Sequence, residues 1–140
     1  MTKILILFSL LSLAVSCGNK AKSVKYGQTT TSDLIVLKGE PLKEEDLSIP
    51  QSKMLIYEND EKYQVEKDIV VNSFRNPKQD ERMLLYWKHK YPDCSFEIQK
   101  VNQAKTHQKG EEELRCSSAG LSVIYDPNIQ QVIRVVEYEK

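Results

Sequence analysis

The chain has 140 residues, of which 40% are hydrophobic and 29% are charged. This composition is typical of one ordered globular domain, or of two very small units that share a core, and excludes a chain that is disordered throughout. Its 20 basic and 20 acidic side chains cancel, and no basic stripe is visible, so no nucleic-acid partner is expected. The number of cysteines is three, so one of them has no partner for a disulfide within the chain.

Residues 1–16 have the pattern of a secretory signal peptide. Lys3 is the one charged residue before Cys17, and residues 4–15 are apolar except for two serines. A membrane-spanning helix needs roughly 20 apolar residues, so this run is too short to cross a bilayer. A basic start, a short apolar run and small residues at its end predict a signal that is removed from the mature protein.

Residues 13–17, LAVSC, resemble the lipobox of bacterial lipoproteins, although Ala14 stands where leucine is commonest. The resemblance implies cleavage between Ser16 and Cys17 and attachment of a diacylglycerol to the Cys17 thiol. In many bacteria the new amine is acylated as well, and two or more chains make a stable anchor in the lipid bilayer. The polar residues 17–28 would then form the lipidated N-terminus and a flexible tether. The alternative is an ordinary signal peptide that leaves Cys17 as a free thiol.

The residue after the cysteine bears on location. Gly18, rather than aspartate, follows Cys17, and by analogy with enteric bacteria this favours sorting to the outer membrane. The sequence therefore predicts an outer-membrane lipoprotein whose domain, residues 29–140, faces the periplasm.

The first half of this domain predicts one short helix and a meander of strands. Hydroxyl residues and Asp33 precede the apolar residues 34–37, and Lys38-Gly39 follows, which is the pattern of a capped helix. The β-branched residues in this stretch would also suit a strand. Glu40-Pro41 breaks the chain, and residues 42–47 are compatible with one further helical turn. Alternating apolar residues and intervening turn residues predict strands over 54–57, 63–66 and 69–74.

The second half predicts one longer helix followed by strands. The spacing of its apolar residues predicts a helix over residues 80–91 that Pro92 ends. One face of this helix carries Met83, Leu84, Trp87 and Tyr91. Strands follow over residues 94–98, 114–116, 121–125 and 129–138, with a polar loop over 102–110 and turns at 119–120 and 126–128.

Two of these strands bring two cysteines together. Phe96 and Leu114 are predicted to face each other in an antiparallel pair, and the same register sets Cys94 opposite Cys116. In an oxidising compartment these two cysteines would form a disulfide across the hairpin. The alternative is two buried free thiols. With the disulfide formed, Cys17 is the odd cysteine and is free to carry lipid.

The elements together predict an α+β domain with short helices packed on one or two antiparallel meander sheets. The pattern allows one body or two helix-plus-sheet units, residues 29–76 and 77–140.

Residues 27–74 are similar to the SmpA/OmlA lipoproteins in their Gly27-Gln28-Thr29 start, their strand order and a Leu-x-x-Leu-x-Gly-x-Pro stretch that begins at Leu34. That resemblance implies helices on a three-stranded antiparallel sheet and a binding or scaffolding role in the β-barrel assembly machinery. The β-lactamase inhibitor protein doubles the same unit.

No arrangement of residues specifies a catalytic or metal site. The histidines, His89 and His107, are predicted on the outer side of the helix and in a loop, and no cysteine or histidine has metal-ligand spacing. The acidic runs at 44–46 and 111–113 are typical of solvated faces, and no glycine-rich phosphate loop is present. We therefore predict a non-catalytic protein, without metal or small-molecule cofactor, that binds an unknown envelope protein. The alternative is an envelope hydrolase or an enzyme inhibitor.

Replacing Cys17 by serine tests the anchor. Without the thiol no diacylglycerol can be attached, so Cys17→Ser should move the protein from the membrane fraction to a soluble fraction. Immunoblotting of fractionated cells measures the distribution, and the matched change Ser23→Ala, outside the lipobox, should leave the protein with the membrane. Unchanged fractionation of Cys17→Ser would contradict lipidation.

Overall fold

The structure, a computed structural model, describes residues 23–100 and 110–140. These residues form two short helices, α1 (Thr31–Lys38) and α2 (Leu84–Lys90), and one antiparallel sheet of eight strands. The strands are β1 (Lys43–Asp46), β2 (Ser52–Ile56), β3 (Lys62–Glu66), β4 (Ile69–Arg75), β5 (Glu97–Lys100), β6 (Glu112–Cys116), β7 (Leu121–Asp126) and β8 (Gln131–Tyr138). The fold is α+β as predicted, but richer in strand. The described residues contain no helix long and apolar enough to span a membrane.

The eight strands lie in the order β1-β2-β3-β4-β8-β7-β6-β5. Strands β1–β4 form one meander that follows α1, and β5–β8 form a second meander that follows α2. The last strand of each meander pairs with the other, β4 with β8, in antiparallel register. A helix followed by four strands therefore occurs twice, and the two sets share one continuous sheet.

The two ends of helix α1 are defined by local capping residues. The Thr30 hydroxyl accepts a hydrogen bond from the Asp33 amide at 3.1 Å, and the Asp33 carboxylate accepts one from the Thr30 amide, which makes a capping box. Gly39 ends the helix with a φ of 89°, a conformation that favours glycine. Of the two interpretations that the sequence allowed for residues 34–37, the helix is confirmed.

Helix α2 begins later than predicted. Instead of a helix over residues 80–91, residues 82 and 83 run extended beside β8 and α2 begins at Leu84. The Val132 amide donates to the Arg82 carbonyl at 2.7 Å, and the Leu84 amide donates to the Gln130 carbonyl at 3.1 Å. Backbone groups bonded to a neighbouring strand cannot also close a helical turn. Met83, predicted on the buried face, is consequently 56% exposed, whereas Trp87 is fully buried as predicted.

Strand β1 replaces the helical turn that residues 42–47 were compatible with. Lys43–Asp46 pairs along β2, with Lys43 opposite Ile56. Lysine and glutamate are good helix formers, so the local preference points to helix, but pairing with β2 overrides it. The four charged, exposed residues of β1 lie at one edge of the sheet, where charge discourages further strand pairing.

The disulfide between Cys94 and Cys116 is confirmed, with a Cα–Cα distance of 6.0 Å. The register that predicted it is wrong, because Ile98 rather than Phe96 lies opposite Leu114. Cys94 instead reaches Cys116 from the loop before β5. A structural disulfide persists in oxidising surroundings, so the chain works outside the reducing cytoplasm. The predicted loop at 102–110, apart from Gly110, lies outside the described residues, and so does His107.

Both helices pack on the same face of the sheet and cover two apolar cores. Side chains alternate between the faces of a strand, and most buried apolar residues of both meanders point towards the helices, whereas Ser122 and Ile124 are buried on the other face. The α1 core contains Leu34, Leu55, Tyr57, Tyr63, Val65 and Val70. The α2 core contains Leu84, Trp87, Leu114, Cys116, Leu121, Val123, Tyr125, Val132 and Val135.

Replacing both Cys94 and Cys116 by serine should lower the free energy of unfolding by about 3 kcal/mol, because the bond closes a loop with a sequence separation of 22 residues. Urea denaturation followed by circular dichroism measures the loss. Wild-type protein treated with a reductant should lose a similar amount, and the double variant should not respond to reductant. Equal stability of wild type and double variant would refute this contribution.

Candidate functional site

The seam between β4 and β8 carries the two candidate sites, one on each face of the sheet. Ser73 lies opposite Glu137 and points to the helix face, and the next pair, Phe74 opposite Val136, points to the other face. Consecutive register pairs therefore supply a polar cleft on one face and an apolar groove on the other.

The polar cleft has a volume of about 520 Å³ and is bounded by α1, the segment 23–26 and strands β3, β4 and β8. The Tyr26 hydroxyl bonds with the Ser73 hydroxyl at 2.6 Å and donates to the Glu137 carboxylate at 2.9 Å. Burial raises the pKa of the Tyr26 phenol, and the charge of Glu137 raises it further. Tyr26 therefore stays protonated and donates its hydrogen bond at neutral pH.

The N-terminal segment is held on the domain by these bonds. Besides the Tyr26 contacts, the Gly27 amide donates to the Val70 carbonyl at 2.8 Å and the Val70 amide donates to the Thr29 carbonyl at 2.9 Å. Residues 23–28, the last part of the segment that the sequence suggests as tether, thus lie against the sheet. Ser23 is six positions after Cys17, which corresponds to at most about 20 Å of fully extended chain.

A buried ion pair lies beside the cleft. Arg75 donates hydrogen bonds to the Glu81 carboxylate from its two terminal guanidinium nitrogens, Nη1 and Nη2, at 2.5 and 3.1 Å. Glu81 is 3% exposed. The Glu81 carboxylate also accepts a hydrogen bond from the Lys78 amide at 3.0 Å, and its carbonyl accepts one from the Trp87 indole at 2.8 Å. Burial alone would raise the pKa of Glu81, but the bonds from Arg75 and Lys78 outweigh it and lower the pKa.

A second carboxylate in the cleft is held in the same way. Glu61 accepts hydrogen bonds from the Tyr63 hydroxyl at 2.7 Å and from Lys38 at 2.9 Å. Burial acts to raise the pKa of Glu61, and these two partners together lower it. Burial raises the pKa of Tyr63, and the bond to Glu61 adds to this effect.

The chemistry available in the polar cleft is therefore limited. A general acid or base works best with a pKa near the operating pH, whereas Glu61 and Glu81 stay ionised and Tyr26 and Tyr63 stay protonated at neutral pH. Among the described residues there is also no cluster of three or more possible metal ligands. The arrangement is suited to holding the chain together and to presenting fixed charges and hydroxyls.

The groove on the opposite face, the open-face groove, has a volume of about 390 Å³. Its walls are the apolar side chains of Leu47, Met54, Ile56, Phe74, Ile124 and Val136. Four charged residues complete its lining, namely Glu45, Lys62, Glu113 and Arg134. Strands from nearly opposite ends of the sheet order, β1 and β6, contribute to the same groove, so the sheet curves around it.

Of the residues that the sequence singled out, Cys94 and Cys116 line neither site. Ser16 and Cys17, the predicted cleavage and lipidation positions, are outside the described residues. The disulfide between Cys94 and Cys116 links the loop before β5 to strand β6. Sequence reasoning missed the groove, although a signal existed. Residues 54–57 are apolar at four consecutive positions, which indicates that both faces of that strand are apolar.

No protein-family model and no curated protein matches the sequence. Among solved structures, an extracellular protein containing an SCP domain from Bacillus anthracis str. Ames is similar over 79% of this chain, with a TM-score of 0.53 and 13% identity. This chain spans 43% of that protein, less than half its length. A DUF4309 family protein (YjgB) from Bacillus subtilis subsp. subtilis str. 168 is similar over 88% of this chain and 86% of its own, with a TM-score of 0.54 and 11% identity. At such identities the likeness shows a shared fold.

Replacing Glu81 by glutamine should destabilise the fold by about 2–3 kcal/mol at neutral pH, because it leaves the Arg75 charge without its buried partner. The folded-state pKa of Glu81 is lowered, so its stabilisation is present above the ordinary carboxyl value of 4.5 and is lost as pH falls through the folded value. The difference between wild type and Glu81→Gln should therefore shrink below about pH 4.5, as measured by urea denaturation across pH.

Glu44→Gln is the matched control for this change. Glu44 pairs with Lys53 at 2.9 Å on the exposed side of β1, where ion pairs contribute little. We expect no measurable change in stability at any pH in that series. A Glu81→Gln protein as stable as wild type at neutral pH would show that the Arg75–Glu81 pair does not stabilise the fold.

Proposed function

We propose that this protein is a lipid-anchored binding protein of the outer membrane, whose periplasmic domain binds an envelope protein and catalyses no reaction. The anchor is the acylated Cys17, and residues 17–22 connect it to the first described residues. The domain would meet its partner through the open face of its sheet. The single observation that carries the proposal is the groove of about 390 Å³ preformed in that face.

Two features support the anchored, extracytoplasmic part of the proposal. The lipobox-like residues 13–17 end the N-terminal apolar run at a cysteine, and Gly18 after it favours the outer membrane. The disulfide between Cys94 and Cys116 occupies the other two cysteines, which leaves Cys17 free to carry lipid.

The electrostatics of the polar cleft favour binding over catalysis. A hydrolase that uses two carboxyl groups keeps one of them protonated, with a raised pKa, to act as general acid. The pKa values of Glu61 in the cleft and of Glu81 beside it are lowered instead, since each carboxylate already has cationic and hydrogen-bonding partners. This arrangement favours the binding protein over the hydrolase, the alternative function that the sequence suggests.

The open face supports contact with a partner. Both helices cover the opposite face, so Ile56, Phe74 and Val136 are half-buried in the curve of the sheet rather than enclosed in a core. Concave apolar surfaces rimmed by polar residues mark interaction sites. The charges around the groove, of both signs, would orient a protein partner on that surface.

Chemical crosslinking of the acylated protein in native membranes, followed by affinity purification, should recover an envelope protein. Ile56→Glu places a charge in the open-face groove and should lower recovery about tenfold, the loss expected for a single interface anchor. Mass spectrometry of the purified material, with label-free quantification, measures recovery.

Val36→Glu is the control for this experiment. Val36 is 64% exposed on α1, on the helix side of the sheet, and its replacement should leave recovery unchanged. A blank recovery from wild-type protein, or equal recovery from Ile56→Glu, would count against a protein partner on the open face.

A further inference from the structure

The open-face groove has the lining expected of a site for a small apolar ligand. Ligand pockets are commonly about 300–1,000 Å³ in volume and are mostly apolar, with a few polar groups that fix the orientation of the ligand. The groove, at about 390 Å³, lies within that range. Phe74 and Val136 form its floor across the seam, and Ile124 is almost completely buried beside them.

The charges around the groove leave one cation without a counterion. Three of the four charged lining residues have partners of opposite charge within the chain: Lys43–Glu45 at 2.5 Å, Lys62–Asp60 at 2.8 Å and Arg115–Glu113 at 3.0 Å. The fourth, Arg134, makes no ion pair or side-chain hydrogen bond with any residue in the described ranges. Because arginine is always charged, Arg134 presents a positive charge that an anion would complement, while the four charged lining residues together carry two positive and two negative charges.

A buried hydroxyl on the same face is also unsatisfied. Ser122 lies opposite Val136 and two residues before Ile124, so its side chain leaves the sheet on the groove side. It is 2% exposed, and its Oγ has no hydrogen-bond partner among residues 23–100 and 110–140. Ser122 is not among the residues that line the groove, so its buried hydroxyl is not available to a ligand there.

We propose that the open-face groove binds an amphiphile made of an apolar chain and one anionic group, with the chain along Phe74 and Val136 and the anion on Arg134. A long-chain carboxylate is the simplest example of this chemistry. The inference deepens the proposed binding function, since it rests on the same face of the sheet and names the chemistry that enters it.

Isothermal titration of the mature protein with dodecanoate, below the micellar range, tests the proposal. Wild-type protein should bind dodecanoate at one site, and Arg134→Gln should weaken binding about tenfold through loss of a charge-assisted contact. Dodecan-1-ol, which has the same chain without the charge, should bind about as weakly to wild type as dodecanoate binds to Arg134→Gln, and should not respond to that substitution.

Two further variants separate binding from folding. Val136→Phe fills the groove and should abolish binding of both probes, with an unchanged near-ultraviolet spectrum and cooperative unfolding as evidence that the chain is folded. Arg82→Gln removes an exposed arginine from the segment before α2 and should leave dodecanoate affinity unchanged.

Several outcomes would overturn the proposal. They are absence of dodecanoate binding, unchanged affinity in Arg134→Gln, retained binding in folded Val136→Phe, and equal affinity for dodecyltrimethylammonium, which carries the opposite charge. An envelope protein recovered through Ile56 without dodecanoate binding would keep the proposed function and reject the amphiphile. Dodecanoate binding with no recovered envelope protein would keep the amphiphile site and reject the protein partner.

Discussion

The antiparallel pairing of β4 with β8 is the constraint on which the rest of the molecule depends. Four residue pairs, from Asn72–Tyr138 to Arg75–Val135, join the two meanders into one sheet. Within this short seam, Ser73 and Glu137 build the polar cleft while Phe74 and Val136 build the floor of the groove. Without the pairing, β4 and β8 would each be an exposed edge strand whose free backbone groups could pair with another chain.

The two faces of the seam differ in how completely their polar groups are satisfied. On the helix face, Arg75, Glu81 and Tyr26 bond one another or nearby backbone and side chains, so the network fixes the N-terminal segment and the start of α2. On the open face, Arg134 and Ser122 lack such partners among the described residues. A satisfied network stabilises a fold, whereas an unsatisfied cation beside apolar walls is the arrangement expected at a surface that receives something else.

Much of the local structure followed from local patterns. The capping box at Thr30 and Asp33 and the glycine at position 39 define α1 without reference to the rest of the chain. Alternation defined the strands, and the hairpin predicted for residues 94–116 brought Cys94 and Cys116 close together, although Cys94 lies in the loop before β5 and the register was displaced. The errors fell where distant backbone intervened: β2 converted residues 43–46 from a helix-prone run into a strand, and residues 82 and 83 run extended beside β8, so α2 begins only at Leu84.

The amino-acid sequence by itself determined the approximate number of strands and the resemblance of residues 13–17 to a lipobox, because each depends on neighbours along the chain. It also identified Cys94 and Cys116 as the disulfide pair, since both belong to the hairpin predicted there, although the register that set them opposite each other was wrong. Tertiary structure alone decided the order of the strands, the cleft and the groove. These join residues as distant as Tyr26 and Glu137, 111 positions apart, and no periodicity specifies which strand ends will meet. The physical reason is that pairing at the seam is selected by the fit of two whole meanders and their helices, a property of the packed chain rather than of any segment.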